Sequence, residues 1–244
     1  MIIGGTSGIG LALARHYLEQ GEQVAVCGRD LARMEPASPA SPAGRAALRE
    51  YQFDIADRAA LAAALADFAG GALDMLVVTA GLYGDAPALE RDPGLGLRML
   101  RTNVGGLNHA FELASGPMVA RRAGRLVALA SVAGLLRDYP GASLYSANKR
   151  IVIELCNAYR KALAPFGVGV TVIVPGYVDT AALRALNQGD ASHKPFLQTE
   201  AQAVARIAQA IAQGRARCVF PWQMQAMVAI FNRLPLWLKQ IRKK

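Results

Sequence analysis

Residues 1–10 read Met1-Ile2-Ile3-Gly4-Gly5-Thr6-Ser7-Gly8-Ile9-Gly10. A short apolar run leads into this glycine cluster, and a helical pattern follows from residue 9 to residue 20. Glycines at this spacing allow a tight turn whose backbone can approach a pyrophosphate, and the N-terminus of the following helix favours negative charge. The stretch therefore predicts a strand–turn–helix unit that binds a nucleotide. Taken alone, it also fits a plain strand-to-helix connection.

Apolar runs and helical segments alternate along the rest of the chain. Strands are predicted at 1–3, 23–27, 51–53, 75–79, 124–130, 169–174 and 218–220, and helices at 9–20, 59–69, 95–120, 144–164 and 201–213. This alternation implies right-handed βαβ crossovers and a parallel sheet. We predict an α/β fold in which one domain, residues 1–220, forms a Rossmann-type doubly wound parallel sheet with helices on both faces. The Pro/Ala/Ser-rich segment 35–44 is predicted to be a surface loop.

Composition narrows the class of protein. A chain of 244 residues with 53% hydrophobic content can bury one large core. We find no apolar run of membrane-spanning length and no pattern typical of a signal peptide. The three cysteines have no metal-like spacing, and the three histidines, His16, His109 and His193, have no ligand partner pattern. We therefore predict a cytoplasmic protein with reduced thiols and no metal site.

The net charge of +9 suggests an anionic partner. Nucleic acid is a poor explanation, because the chain has no zinc-finger spacing and no RNA-recognition signature. A cofactor that carries an extra phosphate explains part of the charge.

The redox prediction depends on Tyr145 and Lys149, four residues apart, with Ser131 fourteen residues upstream of the tyrosine. A phenol has an ordinary pKa of about 10, so it is a poor acid or base near neutral pH. An ammonium one helical turn away lies on the same face and is expected to lower the pKa of the tyrosine. A serine hydroxyl from a neighbouring strand end can hold a carbonyl oxygen beside the phenol.

These features together resemble the short-chain dehydrogenase/reductase family. The matching elements, in the family's order, are Gly4-x-x-x-Gly8-x-Gly10, Asp54-Ile55, Ala80-Gly81, Asn103, Ser131, Tyr145-Ser146-Ala147-Asn148-Lys149 and Pro175-Gly176. The resemblance covers most of the chain and is weakest over the last forty-odd residues. It implies an enzyme that interconverts a carbonyl and an alcohol on a small molecule, and we expect a homodimer or homotetramer. The alternative is a nucleotide-binding regulatory or membrane-surface protein that keeps the fold without turnover.

The resemblance also implies roles for individual residues. Tyr145 is the general acid or base, Lys149 hydrogen-bonds the nicotinamide ribose, Ser131 positions the substrate oxygen and Asn103 supports a water-linked proton path. Asp54-Ile55 is expected beside the adenine and Ala80-Gly81 beneath the cofactor. The predicted cofactor contacts are Gly4, Thr6, Ser7, Gly8, Ile9, Gly10, Arg29, Asp54, Ile55, Ala80, Gly81, Tyr145, Lys149, Pro175, Gly176, Val178 and Thr180.

The end of the second strand bears on the choice between NADP(H) and NAD(H). It reads Cys27-Gly28-Arg29-Asp30. Gly28 is expected to leave space and Arg29 to supply charge for a 2′-phosphate, so we predict NADP(H). If Asp30 faces the ribose instead, NAD(H) becomes possible.

One further segment and a set of pocket residues concern the substrate. Residues 176–200 are predicted to form a lid, and the pocket residues predicted by position are Leu82, Tyr83, Leu135, Leu136, Tyr139 and Tyr177. They favour an apolar or aromatic carbonyl compound, although the lid cations Arg184 and Lys194 leave other substrates open.

In the basic tail 221–244, an apolar stripe at helical spacing comprises Met224, Met227, Val228, Phe231 and Leu234. We expect it to pack against the domain or a second subunit, and the alternative is a bilayer surface.

Overall fold

The computed structural model describes residues 1–32, 34, 48–70, 72–137 and 143–235. Within these residues seven parallel strands form one sheet in the order β3-β2-β1-β4-β5-β6-β7. The strands are β1 Ile2–Ile3, β2 Val24–Gly28, β3 Leu48–Gln52, β4 Met75–Val78, β5 Gly124–Leu129, β6 Val168–Pro175 and β7 Arg217–Phe220. The order reverses between β1 and β4, which is the switch point of a doubly wound sheet.

Helices cover both faces of this sheet, so the predicted fold class is confirmed. They are α1 Gly8–Glu19, α2 Arg58–Ala69, α3 Ala86–Arg91, α4 Leu95–Leu100, α5 Leu107–Ala120, α6 Leu144–Leu163, α7 Ala181–Ala185, α8 Glu200–Ala212 and α9 Trp222–Arg233. Successive strand residues point to opposite faces. Leu126 accordingly packs in the cluster that contains Phe111 of α5, whereas Val127 packs in the cluster that contains Leu13 of α1 and Ile207 of α8.

The helix predicted at 95–120 is interrupted. Between α4 and α5 lies a π-helical stretch, Arg101–Gly106, in which Asn103 is buried. The short helices α3 and α7 were not predicted, although each begins with a capping side chain: Asp85 accepts from the Ala88 N–H, and Thr180 accepts from the Leu183 N–H. Their five or six residues are too few for an apolar period to be visible. Segment 35–44 and Tyr139 lie outside the described residues.

Across the described part of the chain, every helix is too short or too polar to cross a bilayer.

The π-helical stretch packs closely against the loop that follows β3. A Cβ on Gly106 would lie 2.7 Å from Cγ2 and 3.0 Å from Cγ1 of Ile55. Ile55 is buried, at 4% exposure, and its branched side chain cannot move aside without shifting its backbone. By contrast, a Cβ on the preceding Gly105 would meet its nearest atom, the Leu100 carbonyl oxygen, at 3.9 Å.

These two adjacent glycines give a matched test of the packing. Gly106→Ala should lower the free energy of unfolding by about 1–3 kcal/mol, the usual cost of overpacking. Gly105→Ala should leave it nearly unchanged, because its Cβ makes only an ordinary contact. Urea unfolding of both variants measures the difference. Equal stabilities would show that Ile55 is not held as tightly as the structure indicates.

Candidate active site

One cleft opens at the carboxyl ends of the strands, with a volume of about 1400 Å³. Among the predicted catalytic and cofactor residues, all except Asn103 line it. They come from the ends of the strands β1 to β6, from the first turn of α1 and from the first two turns of α6. Ligands of open α/β sheets bind at this edge, so the sequence motifs converge where the topology places a binding crevice.

The glycine turn forms one end of the cleft. Gly4 has φ +87°, and a Cβ there would collide with the backbone of Ala80, so the turn packs directly against the end of β4. The Gly4 N–H donates to the Cys27 carbonyl at 2.8 Å, which ties the turn to β2.

Helix α1 begins at this turn without a side-chain cap. Its N-cap residue Ser7 is extended and exposed and makes no side-chain capping hydrogen bond. In contrast, Asp57, Ser143 and Thr199 cap α2, α6 and α8 through their side chains. The first turn of α1 also lacks an acidic residue, so its N–H groups and its positive helix end are available to an anion in the cleft.

The end of the cleft beside β2 contains the residues that were predicted to choose between NADP(H) and NAD(H). Arg29 is exposed and lines the cleft, and its carbonyl accepts from Gln52 Nε2 at 3.1 Å. Asp30 Oδ1 accepts from the Ala32 N–H at 3.0 Å, so this carboxylate helps to close a local turn. The space expected over Gly28 is filled, because a Cβ there would collide with the Thr6 hydroxyl. Arg29 therefore lies at this end of the cleft, whereas the space beside Gly28 is occupied by Thr6.

Ser131 and Tyr145 are brought together by the packing of a short 3-10 helix against α6. Ser131 lies two residues after the end of β5, and its Oγ accepts from the Ala133 N–H at 3.2 Å, which starts the 3-10 helix Val132–Leu135. Within that turn Gly134 faces the backbone of Lys149, where a Cβ would lie 2.7 Å from the lysine carbonyl carbon. Any larger residue would push the serine loop off the helix that carries Tyr145.

The pKa of Tyr145 differs in direction from the sequence prediction. Burial raises it above its ordinary value, and this effect outweighs the hydrogen bond with Ser131, which lowers it. The ring of Tyr83 packs edge-on against the Tyr145 ring with centroids 4.9 Å apart and contributes to the burial. The expectation that Lys149 lowers the pKa of Tyr145 is therefore wrong for this structure.

The position of the Lys149 ammonium explains the difference. Its Nζ donates to the Leu129 carbonyl at 2.9 Å and lies 5.8 Å from the centroid of the Tyr145 ring. The side chain is only 5% exposed, and burial lowers its pKa to about 8. No carboxylate of the described residues pairs with it. The residue spacing predicted a shared helix face, but it did not reveal this carbonyl.

Asn103 lies behind the cleft wall. It is 2% exposed, its Oδ1 accepts from the Leu82 N–H at 2.7 Å, and its Nδ2 donates to the Leu82 carbonyl at 2.9 Å. A Cβ on Gly81 would touch both Asn103 Oδ1 and Lys149 Nζ at 3.3 Å, so the three residues meet. In this structure Asn103 holds the loop after β4, and its part in a proton path stays a prediction.

The substrate end of the cleft is largely apolar. Leu82, Tyr83, Leu136 and Tyr177 line it as predicted, whereas Leu135 does not. The lid segment 176–200 is anchored by a bridge between Val178 and Gln198.

Helix α9 supplies a wall of the cleft that the sequence did not assign. Met224, Met227 and Val228 line the cleft, and Met224 and Val228 are buried at 4% and 6% exposure. The apolar spacing predicted a helix that packs against the domain or a second subunit, but it did not predict the contact with the cleft. Met227 remains 45% exposed at the opening, and Leu234 is 37% exposed.

The side chain of Asn232 in α9 forms two hydrogen bonds with the loop that follows Ser131. Its Nδ2 donates to the Leu135 carbonyl at 2.8 Å, and its Oδ1 accepts from the Arg137 N–H at 2.8 Å. A polar residue at the end of an apolar stripe gave no sign of this role in the sequence. Asn232 therefore links the last described helix to the loop that follows Ser131.

Asn232→Ala should loosen this loop. We expect a fall in kcat/KM dominated by KM, and a loss of about 1–3 kcal/mol in the free energy of unfolding, because two backbone groups lose their partners. Gln225→Ala, an exposed change on the same helix, is the control and should match wild type. If both variants keep wild-type KM and stability, the two hydrogen bonds of Asn232 do not order the loop.

Known proteins resemble this chain over most of its length. The family profile described as short chain dehydrogenase matches residues 1–191. An uncharacterized oxidoreductase of Myxococcus xanthus is 31% identical over 238 residues, which are 96% of this chain and 92% of that protein. Galactitol 2-dehydrogenase (L-tagatose-forming) of Cereibacter sphaeroides is 34% identical over 181 residues, 73% of this chain and 70% of that enzyme.

A solved structure extends the likeness to three dimensions. The closed form of serine dehydrogenase complexed with NADP+ superposes with a TM-score of 0.74 at 26% identity, over 89% of this chain and 92% of that chain.

Proposed function

Because this chain belongs to the short-chain dehydrogenase/reductase family, a family of oxidoreductases, we propose that it is an NADP(H)-dependent enzyme that interconverts a carbonyl and an alcohol on a small apolar or aromatic substrate. The observation that carries the proposal is the convergence of Ser131, Tyr145 and Lys149 in the same cleft as the uncapped helix α1.

The residues of the cleft fit a dinucleotide. The first turn of α1 would offer backbone N–H groups to the pyrophosphate, Arg29 would offer a guanidinium to the 2′-phosphate, and Pro175, Gly176 and Thr180, which line the cleft, would hold the nicotinamide. The bound nicotinamide supplies or accepts the hydride. Support for NADP(H) comes from Arg29 and from the NADP+ complex of the related serine dehydrogenase.

In this proposal Tyr145 moves the proton. Since burial raises its pKa, the phenol is protonated near neutral pH and can donate to the carbonyl oxygen during reduction. Ser131 holds that oxygen through a hydrogen bond. Lys149 contributes a buried positive charge near the phenol ring and a donor for the nicotinamide ribose. Tyr83, Tyr177 and Met224 line the cleft and would pack against the apolar part of the substrate.

Three parts of the proposal concern the protein's setting. We expect a homodimer or homotetramer, a cytoplasmic location and no nucleic-acid partner. The family match and the related oxidoreductases give no support to the non-catalytic or membrane-surface alternative.

Tyr145→Phe should lower kcat roughly 100-fold or more, because it removes the group that transfers the proton and leaves the ring packing intact. NADPH binding, followed by fluorescence titration, should be retained. Tyr159→Phe, on the same helix but outside the cleft, should keep wild-type activity. A purified Tyr145→Phe protein with substantial turnover would remove the tyrosine from this role.

The same proton transfer predicts opposite pH responses in the two directions. Reduction uses the phenol, which is present below the pKa of Tyr145, whereas oxidation uses the phenolate, which is present above it. Oxidation should therefore accelerate as the pH rises from neutral into the alkaline range, and reduction should not. Initial rates in both directions across this range provide the measurement.

Arg29→Ala should weaken the binding of NADPH more than that of NADH. The lost contact to the 2′-phosphate is charge-assisted, and its removal should cost about 1.5–3 kcal/mol for NADPH alone. Dissociation constants for both cofactors decide the matter. Equal losses would mean that Arg29 does not contact the phosphate.

A further inference from the structure

The lid carries two cations that differ in their surroundings. Arg184 forms an ion pair with Asp179 at 2.9 Å and does not line the cleft. Lys194 does line the cleft, is half-buried, and forms no ion pair with the described residues. Only the lysine presents an unneutralised charge to a molecule bound there.

Tyr83 and Tyr177 lie in the part of the cleft between Tyr145 and this lysine. The Tyr83 ring packs on the Tyr145 ring at 4.9 Å, and Tyr83 lies close enough to Tyr177 for the two phenols to interact electrostatically. The Lys194 ammonium lies 5.6 Å from the centroid of the Tyr177 ring. The rings place Lys194 beyond the reacting phenol, on the side of Tyr83 and Tyr177.

The other charged residues that line the cleft are Arg29, Asp54, Asp85 and Lys149, and Asp54 accepts from the Ala56 N–H at 2.9 Å. The Lys149 ammonium is buried against the Leu129 carbonyl, and Arg29 stands at the end of β2. Asp85, near Tyr83, caps α3 by accepting from the Ala88 N–H at 2.9 Å. The Lys194 ammonium lies over the ring of Tyr177, and its N–H donors can reach an acceptor in the cleft.

We propose that Lys194 binds an anionic group, a carboxylate or a phosphate, at the end of the substrate opposite to its reacting carbonyl. The middle of such a substrate is flat or apolar and lies against Tyr83 and Tyr177. This inference rests on the proposed function and narrows its substrate class to aromatic or apolar carbonyl compounds with one anionic end. Lys194 is then a specificity-determining residue.

The test uses two matched pairs of aryl ketones with NADPH. The carboxylate pair is 4-acetylbenzoate and methyl 4-acetylbenzoate, and the phosphate pair is 4-acetylphenyl phosphate and 4-hydroxyacetophenone. We would measure kcat/KM for wild type, Lys194→Met, Lys194→Arg and Lys161→Met. Lys161 is an exposed lysine near the end of α6, outside the cleft, and serves as the control.

We expect wild type to prefer at least one anionic member over its neutral partner. Lys194→Met should lower kcat/KM for that anionic ketone roughly tenfold or more, as expected for the loss of a charge-assisted contact. The neutral ketones and NADPH affinity should be unchanged, Lys194→Arg should retain most of the preference, and Lys161→Met should match wild type. The pair that responds identifies the anion as carboxylate or phosphate.

Other results would overturn the inference in distinguishable ways. An equal loss for both members of a pair, or a parallel loss of NADPH affinity, would assign Lys194 to the cofactor or to lid packing. A wild-type preference for both neutral ketones would reject the anion. If wild type oxidises NADPH with none of the four ketones, the proposed function fails, and the inference falls with it.

Discussion

The hydrogen bond from Lys149 Nζ to the Leu129 carbonyl is the contact on which the rest of the site depends. It ties helix α6 to the end of β5, one residue before the loop that carries Ser131. Burial of this ammonium is unfavourable, as its lowered pKa of about 8 indicates. Close packing at Gly134 and the nearby Asn103 amide keep the surrounding loops in place around it. A stable core thus supports a charge that would be more stable in water.

Much of the fold could be predicted from the sequence, because strands buried on both faces leave long apolar runs that few other structures explain. The π-helical interruption at Arg101–Gly106 could not be predicted, because the residues on either side keep a continuous helical pattern. The helices α3 and α7 were missed because five or six residues carry too little periodicity. Local capping residues such as Asp85 were the available signal.

The candidate site, like the fold, could be predicted from the sequence only in part. Motif residues such as Ser131, Tyr145 and Lys149 are separated along the chain but meet at one sheet edge, which the parallel topology alone requires. The direction of the Tyr145 pKa could not be predicted, since it depends on whether the ammonium points at the phenol or at a backbone carbonyl. The hydrogen bond from Asn232 to the Leu135 carbonyl likewise could not be predicted from the sequence, because the two residues are 97 positions apart.

The wall formed by α9 and the lid is separate from the groups proposed to move protons. Met227 is 45% exposed and Lys194 is half-buried, so exchanging either costs little core packing. Strand ends and α6, in contrast, tolerate few changes around Lys149 and Gly134. A chain built this way can drift toward new substrates through its last helix and its lid while its chemistry stays fixed. Divergence within such a lineage should therefore concentrate at these two elements, and the sheet edge should change last.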